Sequence, residues 1–290
     1  MQHSAAAVGD NCIDNYLYPI ASSFVGGNAL NVAVALRRYG IKASYVGAVG
    51  DDEQGQWVLD ALKAEGVDAS LVQVIPGPTG VTDVELRCGD RLFLREDIGV
   101  MKHFRLTEDA LDFIATHELV HSSYLGQTVP YLARFKSLGL TVSFDYSDLN
   151  DERLLHDTLP FVDIAFASAP SANLPAARKL AAEIRHRGPR IVVITMGAAG
   201  SLVLDDDRFW EQRAVDVDRV VDTLGAGDAF IGTFLGGLLE KRPMEMILQE
   251  AALRAAQVCT HFGAWAPQPE RQLAKLTGTP KGVTSLGKQS

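Results

Sequence analysis

Residues 28–66 read NALNVAVALRRYGIKASYVGAVGDDEQGQWVLDALKAEG, and two periodicities alternate within them. Asn28–Tyr39 carries apolar residues at helical spacing and stops at Gly40. Ser44–Val49 is a short apolar run of strand length. Gln54–Glu65 is helical again and stops at Gly66. Glycine just past a helix suits the left-handed turn that ends it. Helix, strand and helix in this order form the repeating unit of an α/β fold.

The rhythm continues outward in both directions. Upstream, Ala5–Val8 is an apolar strand that ends in Gly9-Asp10-Asn11. Downstream, Leu119–Ser122, Leu140–Phe144, Val162–Phe166 and Ile191–Thr195 read as buried strands. Helices are expected at Thr107–Thr116, Pro130–Ser137 and Ala172–Arg187. This order implies a mostly parallel sheet covered on both faces. Right-handed crossovers then put the loops after the strand C-termini on one edge, where ligands bind.

One stretch breaks the rhythm. Val81–Leu86 and Arg91–Arg95 are strand-like and joined by the turn-rich Arg87-Cys88-Gly89-Asp90. Alternation puts Leu92 and Leu94 on one face and Arg91, Phe93 and Arg95 on the other. Such a hairpin is an edge decoration or a lid. No long linker divides the chain and no internal repeat is found. The expected organisation is one domain over residues 1–276, with a β lid built from about 12–25 and 78–100. A loose polar tail is expected over 277–290.

Composition bounds the function. The 290 residues are 47% hydrophobic and 22% charged, as in a soluble globular protein with a sizeable core. A net charge of −9 argues against nucleic acid or an anionic membrane as the main partner. No apolar run approaches the ~18–20 residues of a membrane helix. Residues 1–9 show no basic region followed by an apolar segment, so no secretory signal is expected. Cys12, Cys88 and Cys259 cannot all pair and fit no metal spacing. Reduced thiols and a cytoplasmic location follow as expectations.

The strongest chemical signal is Asp222-Thr223-Leu224-Gly225-Ala226-Gly227-Asp228, which runs straight into an apolar helix. Residues with almost no side chain let backbone N–H groups approach a ligand, and a helix start favours an anion. A carboxylate beside such a site, Asp228, is placed to orient and deprotonate an attacking hydroxyl, as phosphoryl transfer requires. The alternative is a glycine turn in which Asp228 only starts the helix. The second signal is Gly26-Gly27-Asn28-Ala29-Leu30-Asn31. Asn28 and Asn31 share a helix face and offer donors and acceptors to sugar hydroxyls. Its alternative is a turn with Asn28 as a cap. Neither a dinucleotide G-x-G-x-x-G after the first strand nor a P-loop G-K-[ST] is present.

The two motifs, in this order and with an early β lid, resemble the signatures of the ribokinase-like (PfkB) carbohydrate kinase family. The likeness covers about residues 5–267. It extends to Val46–Asp52 with Gly55, Thr195-Met196-Gly197 with Gly200, and His261-Phe262-Gly263-Ala264. The resemblance implies a three-layer αβα sandwich with a mostly parallel sheet and an inserted β lid. It implies an ATP- and Mg²⁺-dependent sugar kinase in which Asp228 is the base and Gly225, Ala226 and Gly227 form the anion hole. It assigns Asp14, Gly26, Gly27 and Asn31 to the sugar, and Thr195, Gly197, Gly200 and Gly227 to the nucleotide. Asp222 matches a carboxylate that supports a K⁺ site in many members. The lid implies a homodimer.

Many members carry Asn-x-x-Glu after the strand seen here as Val162–Phe166. This chain reads Ala167-Ser168-Ala169-Pro170-Ser171-Ala172-Asn173, without the glutamate. Mg²⁺ is then held mainly by nucleotide phosphates and water. Within the family, Gly9–Asp14, Phe144–Asp148, Phe166–Pro170 and Phe262–Trp265 resemble members that phosphorylate fructosamines. A fructosamine carries cations and a carboxylate. Asp10, Asp145 and Asp148 are candidates for the former, and the lid residues Arg91 and Arg95 for the latter. A solvated edge is the alternative for the arginines. His121 reads as a structural histidine or a sugar contact. Met196 and Met244–Met246 read as core or cleft lining. Another sugar or nucleoside kinase, or a non-catalytic binding protein on the same fold, remains the alternative function.

Overall fold

The computed structural model describes residues 2–87, 90–148, 151–170 and 173–273. Cys88 and Gly89 of the hairpin turn, Ser171 and Ala172, and the tail 277–290 lie outside the described residues. From the N-terminus the elements are β1 Ser4–Val8, β2 Cys12–Tyr18, β3 Ser22–Gly26, α1 Asn28–Tyr39, β4 Lys42–Val46, β5 Ala48–Gly50 and α2 Glu53–Glu65. There follow β6 Gln73–Ile75, β7 Val81–Arg87, β8 Asp90–Asp97, α3 Glu108–Ile114, β9 Leu119–Ser123, α4 Leu132–Ser137, β10 Thr141–Asp145 and α5 Glu152–Thr158. The last are β11 Ile164–Ser168, α6 Leu174–His186, β12 Ile191–Thr195, β13 Ser201–Asp205, β14 Arg208–Gln212, α7 Ala226–Leu239, α8 Met244–Val258 and β15 Arg271–Gln272.

Eight strands form the main sheet in the order β14-β13-β12-β11-β10-β9-β1-β4. Six pair parallel, β13 pairs antiparallel with β12, and β14 pairs antiparallel with β13. Side chains alternate across this sheet. On β12, Val192 and Ile194 pack with α6 residues Ala177, Ala181 and Ile184. Ile191 and Val193 pack on the opposite face with Phe230, Phe234 and Leu235 of α7 and Ile247 and Leu248 of α8. Apolar residues on both faces of one strand demand helices on both sides, which is the expected three-layer arrangement.

The lid is a five-stranded sheet, β15-β3-β2-β7-β8. The return of Arg271–Gln272 to pair with β3 is absent from the sequence reading. Two local expectations are corrected. The run Ser44–Val49 is two strands, because the chain turns at Gly47 over the ring of Tyr45. A Cβ at Gly47 would lie 2.2 Å from Tyr45 Oη. The alternation of Leu92, Phe93 and Leu94 also fails. The register slips between Asp83 and Val84, which leaves Leu94 as an extra residue, and all three apolar side chains are exposed. Met246 is exposed as well, whereas Met196 and Met244 are buried.

Helices α1 and α7 touch at Gly232, where a Cβ would lie 2.4 Å from Ala35 Cβ and 3.1 Å from Leu36 N. This approach brings together the two motif-bearing helix starts. We therefore expect Gly232→Ala to destabilise the fold despite alanine's better helix propensity. Overpacking costs about 1–3 kcal/mol and propensity returns about 1. Urea unfolding checks this; a more stable variant would show that α1 simply yields.

Candidate active site

The loops at the C-terminal edge of the parallel strands converge on the start of α7. Gly225 caps that helix in the left-handed region, φ 78°, and a Cβ there would lie 2.4 Å from Ala264 Cβ. Only glycine fits such a close, positive-φ approach. The first amides of a helix have no acceptor inside it. Ala226 turns its N–H back to Thr223 O at 3.3 Å. Gly227 has open space on its Cβ side, with nothing within 4 Å.

Asp228, in the first turn of α7, is gripped from α1. Its Oδ1 accepts from Asn28 Nδ2 at 2.8 Å and its Oδ2 from Asn31 Nδ2 at 2.7 Å. Asn28 Nδ2 also donates to Asp145 Oδ2, at the end of β10, at 2.7 Å. Since that nitrogen donates, Asn28 Oδ1 accepts, and His121 Nε2 reaches it at 3.3 Å. His121 Nδ1 then accepts from Ser143 Oγ at 2.9 Å, which assigns the proton to Nε2. Burial pushes His121 down to about 3, so the ring is neutral. Asp10 closes the network, accepting from Asn28 N at 2.7 Å and Ser123 Oγ at 2.8 Å.

Three carboxylates thus share one small space. Burial is the main cause that raises Asp228 to about 7, with the Asp145 charge adding to it and Asn31 opposing it. Burial likewise raises Asp145 to about 6, and it raises Asp10 against the hydrogen bonds from Ser123 and Asn28. Among the described residues neither Lys nor Arg pairs with any of the three. Asn31 is buried, and its Oδ1 has no partner among the described residues.

The glycine pair before α1 provides clearance. A Cβ at Gly26 would lie 2.0 Å from Asp14 Oδ2, and one at Gly27, φ 109°, would lie 2.4 Å from Asn11 Cα. Asp14 on β2 is buried, and Cys12 Sγ donates to its Oδ1 at 3.3 Å. Thr195 ends β12, and Gly197 and Gly200 form the turn to β13 on the same edge. Gly200 holds φ 100° with Gln212 O where a Cβ would sit. Asn173 caps α6 through Ala176 N. Asp222 accepts from Tyr16 Oη and from Leu224 N.

Arg95 is not brought to this cluster. It is exposed and pairs with Asp97 at 2.8 Å. Burial, with the Glu96 charge adding to it, raises the nearby Tyr124 phenol to about 12. The sequence reading left the Asn28–Asp145 link and the Tyr16–Asp222 contact unseen. The spacing Asp14-x-Tyr16 on one strand face was the available signal for the second.

The pfkB family carbohydrate kinase model matches residues 21–271. The chain belongs to this family. It is 38% identical over 261 residues to the fructoselysine 6-kinase of Escherichia coli K12, covering 90% of this chain and 98% of the relative. It is 36% identical to the fructosamine kinase FrlD of Bacillus subtilis, covering 89% and 92%. Arabidopsis thaliana ribokinase, solved with ribose and ATP, superimposes with TM-score 0.79 at 21% identity, covering 91% and 95%. The protein is an ATP-dependent sugar kinase with a ribokinase-like fold. No helix among the described residues is long and apolar enough to cross a membrane.

If Asp228 must be ionised to act, kcat/KM rises with pH through an inflection near its value of about 7. Removing the neighbouring negative charge with Asp145→Asn lowers that value, so the inflection moves to lower pH. A pH–rate profile of both proteins checks this, and an unmoved inflection would show that the two carboxylates do not interact.

Proposed function

We propose that this kinase phosphorylates the 6-hydroxyl of fructoselysine or a closely related fructosamine. The observation that carries the reading is the cluster Asp10, Asp145 and Asp228 without a Lys or Arg partner among the described residues. A neutral hexose offers those carboxylates only hydroxyls. A fructosamine adds a protonated secondary amine, and charge-assisted hydrogen bonds are about twice as strong as neutral ones. Similarity to fructoselysine 6-kinase and to FrlD over most of the chain supports the same substrate class.

In this reading Asp14, the backbone at Gly26 and Gly27, and the free acceptor Asn31 Oδ1 hold sugar hydroxyls. Asp228 takes the proton of the attacking hydroxyl. The new bond forms between that oxygen and the γ-phosphorus, and the bond to the β–γ bridging oxygen breaks. The turn Gly225–Gly227 presents its amides to the transferred oxygens once Ala226 N–H leaves Thr223 O, with Thr195, Gly197 and Gly200 along the nucleotide. Mg²⁺ enters on the nucleotide phosphates and water, in keeping with the absence of the Asn-x-x-Glu glutamate from Ala167–Asn173. The domain spans 1–276, with the lid over the sugar. Exposed Leu92, Phe93 and Leu94 on the edge strand β8 support pairing with a second copy.

Two measurements test this. Asp228→Asn keeps the shape but cannot accept a proton, so kcat falls ~10²–10⁴-fold while ATP binding persists. A near-native kcat removes Asp228 from the role. In a panel of fructoselysine, fructose, ribose and adenosine, two extra charge-assisted contacts give fructoselysine an advantage of about a hundredfold in kcat/KM. Ribose or adenosine ranking first rejects the substrate, and NMR of the product locates the phosphate.

A further inference from the structure

The family resemblance implies a monovalent cation beside the anion hole, at Asp222. The residues present do not fit it. Asp222 is 2% exposed, and each of its oxygens already accepts a hydrogen bond. Oδ1 takes Leu224 N–H at 3.0 Å, and Oδ2 accepts from Tyr16 Oη. Tyr16 is fully buried, with its ring edge-on to Phe24 and Phe262 at 5.5 and 5.6 Å between centroids. Its hydroxyl is therefore fixed in direction. Burial, with the nearby Asp222 and Asp14 charges, holds that phenol far above its usual range, so it remains a donor.

Tyr16 and Asp14 lie two residues apart on β2, and so on one face of the lid strand. Asp222 lies three residues before Gly225, which is pressed against Ala264. Val221 and Leu224 fasten the same loop, to Cys259 O at 2.8 Å and to Asp222 at 3.0 Å. A displacement of the lid strand therefore reaches the amides that open α7.

We propose that Tyr16 is a positioning residue that takes the place of a monovalent cation at Asp222 and ties the lid strand to the phosphate-binding loop. The proposal rests on the phosphoryl-transfer reading of that loop, but not on which sugar is used. The assay takes whichever sugar of the panel ranks first, so failure of the fructosamine assignment leaves it readable.

The experiment is a K⁺ titration of the full-length enzyme, with tetramethylammonium as the replacing ion, for wild type and Tyr16→Phe. Wild-type kcat should change by less than about twofold across the titration. Without K⁺, Tyr16→Phe should lose about tenfold or more in kcat, with the KM values for ATP and sugar held within about threefold. K⁺ should then raise the variant's kcat by about threefold or more, an activation the wild type lacks. A merely structural tyrosine would not create such a response. Strong K⁺ activation of wild type, equal responses of the two proteins, or native kcat in the variant without K⁺ each overturn the proposal. The wild-type titration needs no variant, so a Tyr16→Phe protein that does not fold leaves the proposal open to refutation.

Discussion

Asp228 is held by two amides from a helix about two hundred residues away in sequence, and this grip organises the molecule. It exists only because α1 and α7 pack at glycine distance at Gly232. That packing in turn requires the sheet face beneath, where Phe230, Phe234 and Leu235 meet Val32 and Leu36. Core and chemistry are thus one construction. The apolar stripes of two helices fix their crossing, and the crossing fixes the polar groups at their N-terminal ends. The Gly232–Ala35 contact lies about one helical turn from Asp228.

The grip also explains how an unfavourable charge cluster survives. Burying a carboxylate is costly unless hydrogen bonds replace its water. Asn28 serves two carboxylates with one nitrogen and a third with its backbone. The neutral His121 keeps that amide from flipping. The remaining cost appears as raised carboxyl values, and near 7 a carboxyl becomes a better proton acceptor at working pH. The same desolvation that weakens the fold raises Asp228 toward the value its proposed role as base calls for.

Much of this was legible in sequence because it is local. Glycine at Gly40 and Gly66 ends helices, and apolar runs of five mark strands buried on two faces. The Gly225–Asp228 turn announces its own geometry. What was hidden is what only packing decides. Gly47 splits a strand because a tyrosine ring lies under it, and Leu94 slips the register because two strands differ by one residue. Asp145 meets Asn28 only when β10 and α1 are side by side. The glycine pair Gly26-Gly27 carried a double meaning. As a motif it points to the sugar, and in the structure it also clears space for Asp14 and Asn11.

The placement of Asp14 and Tyr16 on one strand bears on how a kinase avoids wasting ATP. Water competes with the sugar hydroxyl unless the phosphate loop is aligned only when the acceptor is present. A lid that merely covers the cleft excludes water but conveys nothing to the loop. Here β2 borders the proposed sugar site through Asp14 and grips the loop through Tyr16, with no flexible segment between them. Only Asn15 lies between the two contacts on β2. A metal ion held by the loop alone would leave lid and loop independent. In the proposed arrangement, a phenol reaching across from the lid makes alignment of the phosphate-binding loop depend on the strand proposed to meet the sugar.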